Sequence, residues 1–319
     1  MKSEKMWDRI KQVHDQLELG DQREFESVPN ETQKAFFYRV FNVPKRRWGW
    51  ERTNTTPSAE LKSLHRELLV EILNKARPHQ NATAFFVGRS ILLNAKKHHK
   101  CNVMYKIDIK DFFDSITVFH VRSALTKHFS YLQSVQTDML SNILTYNSKL
   151  PQGAPTSPHI SNLVMYEFDD EISQMAANAC VSYSRYADDI TFSGNDAGNV
   201  MIAAHNALIK IRQLGFQENI KKTKFFGEGV RKIVTGLDVS SEEIRPTKKF
   251  RKSTEAKLRV MNLYGKLGIG REIRGKLAFW ESINPTDKDL IRMKEQYKSA
   301  HMRSRQALIE AYNAFKEKR

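Results

Sequence analysis

The chain has 319 residues, 40% of them hydrophobic and 28% charged, which is ample material for a buried core and the profile of a soluble globular protein. Its formal net charge of +16 points to a polyanionic partner. The charge is uneven: from Arg245 to Arg319, 20 Lys and Arg face 8 Asp and Glu, a net of +12, which leaves +4 for the first 244 residues. The two cysteines, Cys101 and Cys180, match no metal-binding spacing and read as reduced thiols. The N-terminus is charged from Lys2 onward, and no apolar run approaches membrane-spanning length. The sequence therefore predicts a cytoplasmic protein without a membrane partner.

In chain order, Met6, Ile10, Val13 and Leu17 fall at helical spacing and predict an amphipathic helix over 6–19. Residues 35–41 form a short apolar segment running into Pro44. Lys45 to Arg52 mixes cations, aromatics and a glycine turn, the composition of a hairpin that either grips phosphates or is simply a charged surface hairpin. After Pro57, Ser58 or Ser63 caps a helix carrying Leu61, Leu64, Leu68, Leu69 and Ile72. Val103 to Ile109 reads as a buried strand with Asp108 near its end, and residues 120–145 read as helical. Leu150 to Pro158 is a rigid loop of small residues. A helix over Ile160–Ile172 follows, with Ser157 as N-cap and Pro158 in its first turn.

Val181 to Phe192 has the β-branched and aromatic composition of two short strands, with Asp188 and Asp189 at the hairpin tip. Beyond it come a helix over 200–214, a cationic stretch with Lys221, Lys222 and Lys224, and a strand pair or bent strand over Ile233–Val239. Helical segments near 250–266, 271–283 and 287–317 complete the chain.

Two adjacent carboxylates repel one another unless a cation neutralises them, and a carboxylate in a buried strand is costly unless paired or metal-bound. Asp108 and Asp188 each end a β-rich segment. If those strands are neighbours, their carboxylates converge and can hold two divalent cations roughly 3.5–4 Å apart. The alternative is that all of these are solvated loop aspartates.

The order Asp108-Ile109-Lys110-Asp111-Phe112-Phe113, then Pro151-Gln152-Gly153-Ala154-Pro155-Thr156-Ser157-Pro158, then Tyr186-Ala187-Asp188-Asp189 resembles the palm motifs of reverse transcriptases. The likeness runs from about residue 35 to 240. Asn94-Ala95-Lys96-Lys97-His98 and Val234-Thr235-Gly236 resemble two elements of bacterial retron reverse transcriptases in particular.

The resemblance implies an α+β, right-hand polymerase fold with an antiparallel-sheet palm, fingers and a helical thumb. It implies an N-terminal helical extension over 1–34, mainly fingers with the start of the palm over 35–107, and palm over 108–240 with part of the fingers between the first two motifs. A basic helical thumb, or RNA-binding region, over 241–319 would then leave no length for an RNase H, endonuclease or maturase domain. Carried over by motif, Asp108, Asp188 and Asp189 are the catalytic, metal-binding acids, with Asp189 alternatively tuning the site electrostatically. Phe113 is the steric gate against a ribose 2′-OH, with Phe112 as its rival for that place. Gln152 lies near the incoming nucleotide, Arg52 clamps the triphosphate, and Lys222, with Lys224 as rival, is a proton donor or a structural cation. Asn94, His98, Val234, Thr235 and Gly236 contact RNA. Trp280, Tyr264 and Phe279 are either stacking aromatics or core.

The implied cofactor is Mg²⁺, with Mn²⁺ as a substitute. The implied partners are deoxynucleoside triphosphates, a cognate structured noncoding RNA, the RNA–DNA product made from it by priming at an RNA 2′-OH, and an effector protein encoded nearby in an anti-phage defence system. Other readings are a reverse transcriptase of another class (group II intron-like or diversity-generating) and a non-catalytic RNA-binding scaffold.

Overall fold

The computed structural model describes residues 2–22, 37–44, 51–264 and 267–317. By contact density the chain divides into two compact units. The first comprises Met1–Arg89, Tyr105–Phe192 and Gly198–Phe225; the second comprises Ser90–Met104, Ser193–Ala197 and Phe226–Arg319. The architecture is α+β with antiparallel sheets.

In the first unit, α1 (Lys2–Gln22) buries Met6, Ile10 and Val13, the face that the apolar spacing marks out. Strands β1 (Tyr38–Pro44) and β2 (Glu51–Pro57) pair antiparallel, with Val43 opposite Arg52. The hairpin tip at 45–50 lies outside the described residues, as do the side chains of Glu51 and Arg52. Helix α2 (Ala59–Glu71) starts at Ser58, whose hydroxyl accepts from the Leu61 N–H at 3.3 Å, so Ser58 rather than Ser63 is the cap. Leu61, Leu64 and Leu68 then face the core.

The second unit's α3 (Ile91–Lys96) precedes β3 (Val103–Asp108), which leads back into the first unit, where α4 (Phe112–Ser115) follows. The expected single helix over 120–145 is two, α5 (Val118–His128) and α6 (Ser134–Leu144). The apolar periodicity runs through the break, but Phe129 turns out of helical geometry and buries its ring, and Gln133 with Gln136 forms a new capping box. Likewise, the stretch after the small-residue loop is α7 (Ser157–Val164) and α8 (Tyr166–Asn178), separated at Met165. Ser157 is not the N-cap. Thr156 holds that position, and its hydroxyl lies 2.7 Å from His65 Nδ1 rather than on a backbone N–H.

Strands β4 (Ser182–Tyr186) and β5 (Asp189–Gly194) are joined by the two-residue turn Ala187-Asp188, which makes them an antiparallel hairpin. Helix α9 (Ala197–Gln213) and β6 (Lys224–Phe226) follow. The sheet order is β4-β5-β3-β6, so the strands carrying Asp108 and Asp189 are immediate neighbours.

The second unit holds a small sheet of β7 (Ile233–Val234), β8 (Leu237–Asp238) and β9 (Arg245–Pro246). Besides α3 it holds the helices α10 (Lys248–Tyr264), α11 (Gly270–Ile283) and α12 (Lys288–Glu317), which pack on one another. Leu258, Met261, Ile273, Leu277, Trp280, Leu290 and Met293 form their common core. Trp280 is fully buried with its indole N–H donating to Asp287 Oδ2 at 3.0 Å, so it is a core residue and not a stacking platform. Phe279 is partly buried and packs on Phe250 and on the core beside β7 and β8. The Tyr264 side chain lies outside the described residues. Among the described residues no helix is long and apolar enough to cross a membrane.

Candidate active site

The site is built at the end of β3 and the turn between β4 and β5. Ile109 N–H donates to the Asp188 carbonyl at 3.0 Å, and Asn219 N–H donates to the Asp108 carbonyl at 2.7 Å. Backbone bonds on both flanks of β3 therefore fix Asp108 beside Asp188. Ala187, the residue that starts the turn, has φ +58°. That left-handed geometry is strained for a residue with a Cβ, and such strain persists only where the surroundings over-determine it.

The surroundings here are a fully buried polar network. Arg185, on β4, is 0% exposed and donates from Nε and Nη2 to the two oxygens of Asp169 on α8, at 2.8 and 2.6 Å. It also donates to Asn162 Oδ1 at 3.2 Å and to the Ala187 carbonyl at 3.1 Å. The Tyr183 hydroxyl donates to Asp169 Oδ1 at 2.5 Å. The guanidinium thus ties helix α8 to the strained turn. The sequence signals this network only by a charged residue, Arg185, inside an otherwise strand-like run.

The three acids sit in different environments. Asp108 accepts from Lys222 Nζ at 3.0 Å through Oδ2, while its Oδ1 is buried with no hydrogen-bond partner. Burial pushes the Asp188 carboxyl above its ordinary pKa, and the neighbouring charge of Asp108 pushes it further. Asp189 opens β5 rather than sitting in the turn, and accepts from Lys106 Nζ at 2.9 Å. Asp108 and Asp188 therefore form a pair of carboxylates with Lys222 as their shared cation, whereas Asp189 is paired with Lys106.

A buried orphan carboxylate oxygen beside a desolvated second carboxylate fits a divalent cation. Among the described residues no three of His, Cys, Asp and Glu gather closely enough to hold a metal by themselves. A pair of carboxylates completed by water and phosphate oxygens is the way Mg²⁺ is usually held.

The expected nucleotide-side residues fall as follows. Phe112 is 4% exposed and packs against Phe216 at 6.3 Å, so it belongs to the core. Phe113 is only half-buried, with its ring 5.6 Å from Phe112 and 6.2 Å from Phe85. Gln152 donates to Asp114 Oδ2 at 3.3 Å, next to Phe113 in sequence. Gly153 N–H donates to the Thr55 carbonyl at 2.9 Å, and a Cβ added to Gly153 would stand 2.6 Å from that oxygen. The small-residue loop therefore docks on β2, the strand that bears Arg52. Lys222 reaches Asp108, while Lys224 begins β6.

In the second unit, Asn94 and His98 are each 1% exposed and Val234 is 0% exposed. His98 Nδ1 lies 2.7 Å from Ser193 Oγ, and Val234 packs with Ala95, Met104, Leu237 and Val239. These three side chains pack inward. Thr235 (φ +45°) and Gly236 (φ +84°) form the turn between β7 and β8, with Gly236 exposed and the Thr235 hydroxyl donating to the Ile91 carbonyl at 3.1 Å.

Asp108 at the end of β3 and Asp188 in the adjoining two-residue turn give a pair of carboxylates able to share a divalent cation. Comparison with known proteins gives the class of the chain. Residues 43–257 match the family model described as reverse transcriptase (RNA-dependent DNA polymerase). The chain is 34% identical over 252 residues to the Retron Ec86 reverse transcriptase of Escherichia coli, an overlap of 78% of this chain and 77% of that one. It is 30% identical over 273 residues to the Retron Ec83 reverse transcriptase of Escherichia coli, covering 80% and 85% of the two chains. It is 33% identical over 237 residues to the Retron Mx162 reverse transcriptase of Myxococcus xanthus, of whose length it spans about half, 49%. Among solved structures, telomerase from Candida albicans in complex with a fragment of telomeric RNA superimposes with a TM-score of 0.52 at 11% identity, covering 84% of this chain and 60% of that one. That likeness concerns the fold. The chain belongs to the reverse transcriptase family, on its retron branch.

Proposed function

We propose that this chain copies RNA into DNA by nucleotidyl transfer at Asp108 and Asp188. The observation that carries the reading is the pairing of the desolvated Asp188 carboxyl with the buried, unpartnered Oδ1 of Asp108. Divalent cations held by these two acids, Mg²⁺ or Mn²⁺ in its place, would neutralise charge on the attacking hydroxyl and on the leaving pyrophosphate. Asp189, already paired with Lys106, tunes the field rather than supplying the main ligand. Lys222, 60% exposed in its side chain, exchanges Asp108 for the triphosphate when nucleotide enters. Arg52 on β2 adds a bidentate grip on the same phosphates. Phe113 presents its half-buried ring to the sugar and excludes a 2′-OH. Gln152 and the backbone of Gly153 border the nucleotide from the loop docked on β2.

In domain terms, residues 35–107 act mainly as fingers, 108–240 as palm and 241–319 as a basic thumb that holds RNA. The exposed cations Lys248, Lys249, Lys252, Arg271 and Arg274 support that last assignment. At the element 234–236, RNA contact falls to the exposed Thr235-Gly236 turn, while Asn94, His98 and Val234 support it from inside.

We also infer a narrower reading, which the resemblance to retron reverse transcriptases implies. The chain binds a structured noncoding RNA, primes from a 2′-OH within it, and makes single-stranded DNA still joined to RNA. In this reading it works in the cytoplasm beside an effector protein, in defence against phage. The test is to isolate the nucleic acid bound to the full chain during active synthesis. RNA and DNA joined through a debranching-sensitive 2′–5′ linkage are expected. Recovery of unbranched RNA alone would contradict the retron reading.

A further inference from the structure

Phe85 has no part in the roles assigned above, yet its placement is held unusually firmly. Its φ is +65°, a left-handed geometry that a bulky aromatic rarely adopts. The chain leading to it is pinned on two sides. Thr83 N–H donates to the Arg185 carbonyl at 2.8 Å, and Arg185 N–H donates to the Asn81 carbonyl at 2.9 Å. The Asn162 side-chain amide donates to the Ala84 carbonyl at 2.9 Å. Beyond Phe85 the turn closes with Arg89 N–H on the Phe86 carbonyl at 3.0 Å.

All this fixes a ring that does not enter the core, for Phe85 is 42% exposed. The ring instead stands 6.2 Å from Phe113 and 6.5 Å from Tyr186, the residue that leads into the Ala187-Asp188 turn. Backbone strain kept at a site while the side chain stays half in solvent indicates a functional constraint. Packing is an inadequate reason, since so much of the ring remains uncovered.

We propose that Phe85 is a specificity-determining positioning residue, whose ring braces Phe113 so that a nucleotide carrying a 2′-OH is rejected. With Phe112 at 5.6 Å, Phe85 gives Phe113 a second aromatic neighbour and restricts its movement away from the sugar. A half-buried ring without that brace has room to turn aside, and the space it vacates admits one more oxygen. The proposal rests on reading Phe113 as the sugar gate, so the test separates the two.

The measurement is the ratio of kcat/KM for deoxynucleotide over ribonucleotide in primer extension on an RNA template by the full chain, with melting temperature measured alongside. Phe85→Gly removes the ring and also relieves the positive φ. The ratio is expected to fall by about tenfold or more, the scale of a lost packing contact in a selective pocket, without a fall in melting temperature. Phe85→Tyr is expected to keep the ratio near wild type. Phe113→Ala reports on the gate itself. A ratio that falls in Phe113→Ala but holds in Phe85→Gly overturns the bracing role and leaves the gate standing. A ratio unchanged in Phe113→Ala overturns the gate reading and the inference with it. Equal losses in Phe85→Tyr and Phe85→Gly would also contradict bracing by the ring.

Discussion

At the scale of single residues, Asp188 is required to carry charge where charge is disfavoured. Burial and the nearby Asp108 raise its pKa in the folded chain. Its contribution to stability is therefore fully present below the ordinary carboxylate pKa and is lost as pH rises through the raised value. At neutral pH without metal, Asp188→Asn removes this unfavourable charge. The variant is expected to melt above wild type, which calorimetry checks directly. His65 has the opposite sign. Burial pushes its imidazole down from 6.5 to about 4, so its neutral form stabilises the fold above pH 6.5, and that stability drains away as pH falls from 6.5 towards 4. The loss amounts to about 3 kcal/mol at most. A denaturation series across that window is expected to show an acid-side decline in wild type that is flattened in His65→Gln.

At the scale of elements, two contacts hold the site in place. The Arg185–Asp169 pair joins α8 to the β4–β5 turn within a fully buried interior. Asp169→Ala strands a guanidinium there and is expected to cost about 3–5 kcal/mol in denaturant titration. Gly153→Ala drives a Cβ against the Thr55 carbonyl. It is expected to cost about 1–3 kcal/mol and to raise the KM for nucleotide, because the loop with Gln152 is pushed off β2.

The sequence discloses these elements unequally, for physical reasons. The convergence of Asp108 and Asp188 is legible because each closes a β-rich run in which an unpaired carboxylate is costly, and neighbouring strands bring the two together. The partner of Arg185 is not legible: Asp169 lies in Asp169-Asp170-Glu171, which reads as a solvated helix face, and only packing shows that one of the three is buried. The helix breaks at 129–133 and at Met165 are hidden because apolar spacing continues across them. Phe85 is hidden because its backbone geometry runs against its own preference. Asn94 and His98 carry polar groups that the sequence alone does not mark as interior, and both are buried.

At the scale of the whole molecule, the excess positive charge belongs to the final quarter of the chain. Exposed Lys248, Lys249 and Lys252 lie on the first helical turns of α10. Changing all three to Gln is expected to weaken RNA binding and to reduce the slope of log affinity against log salt by about 2. An unchanged slope would place the RNA elsewhere. The most direct measurement is of the chemistry itself: extension of a primer on an RNA template by the full chain with deoxynucleotides and Mg²⁺, wild type beside Asp188→Asn, with folding verified by melting. We expect extension by wild type and none by the folded variant. Normal extension by Asp188→Asn would contradict the assignment of this site.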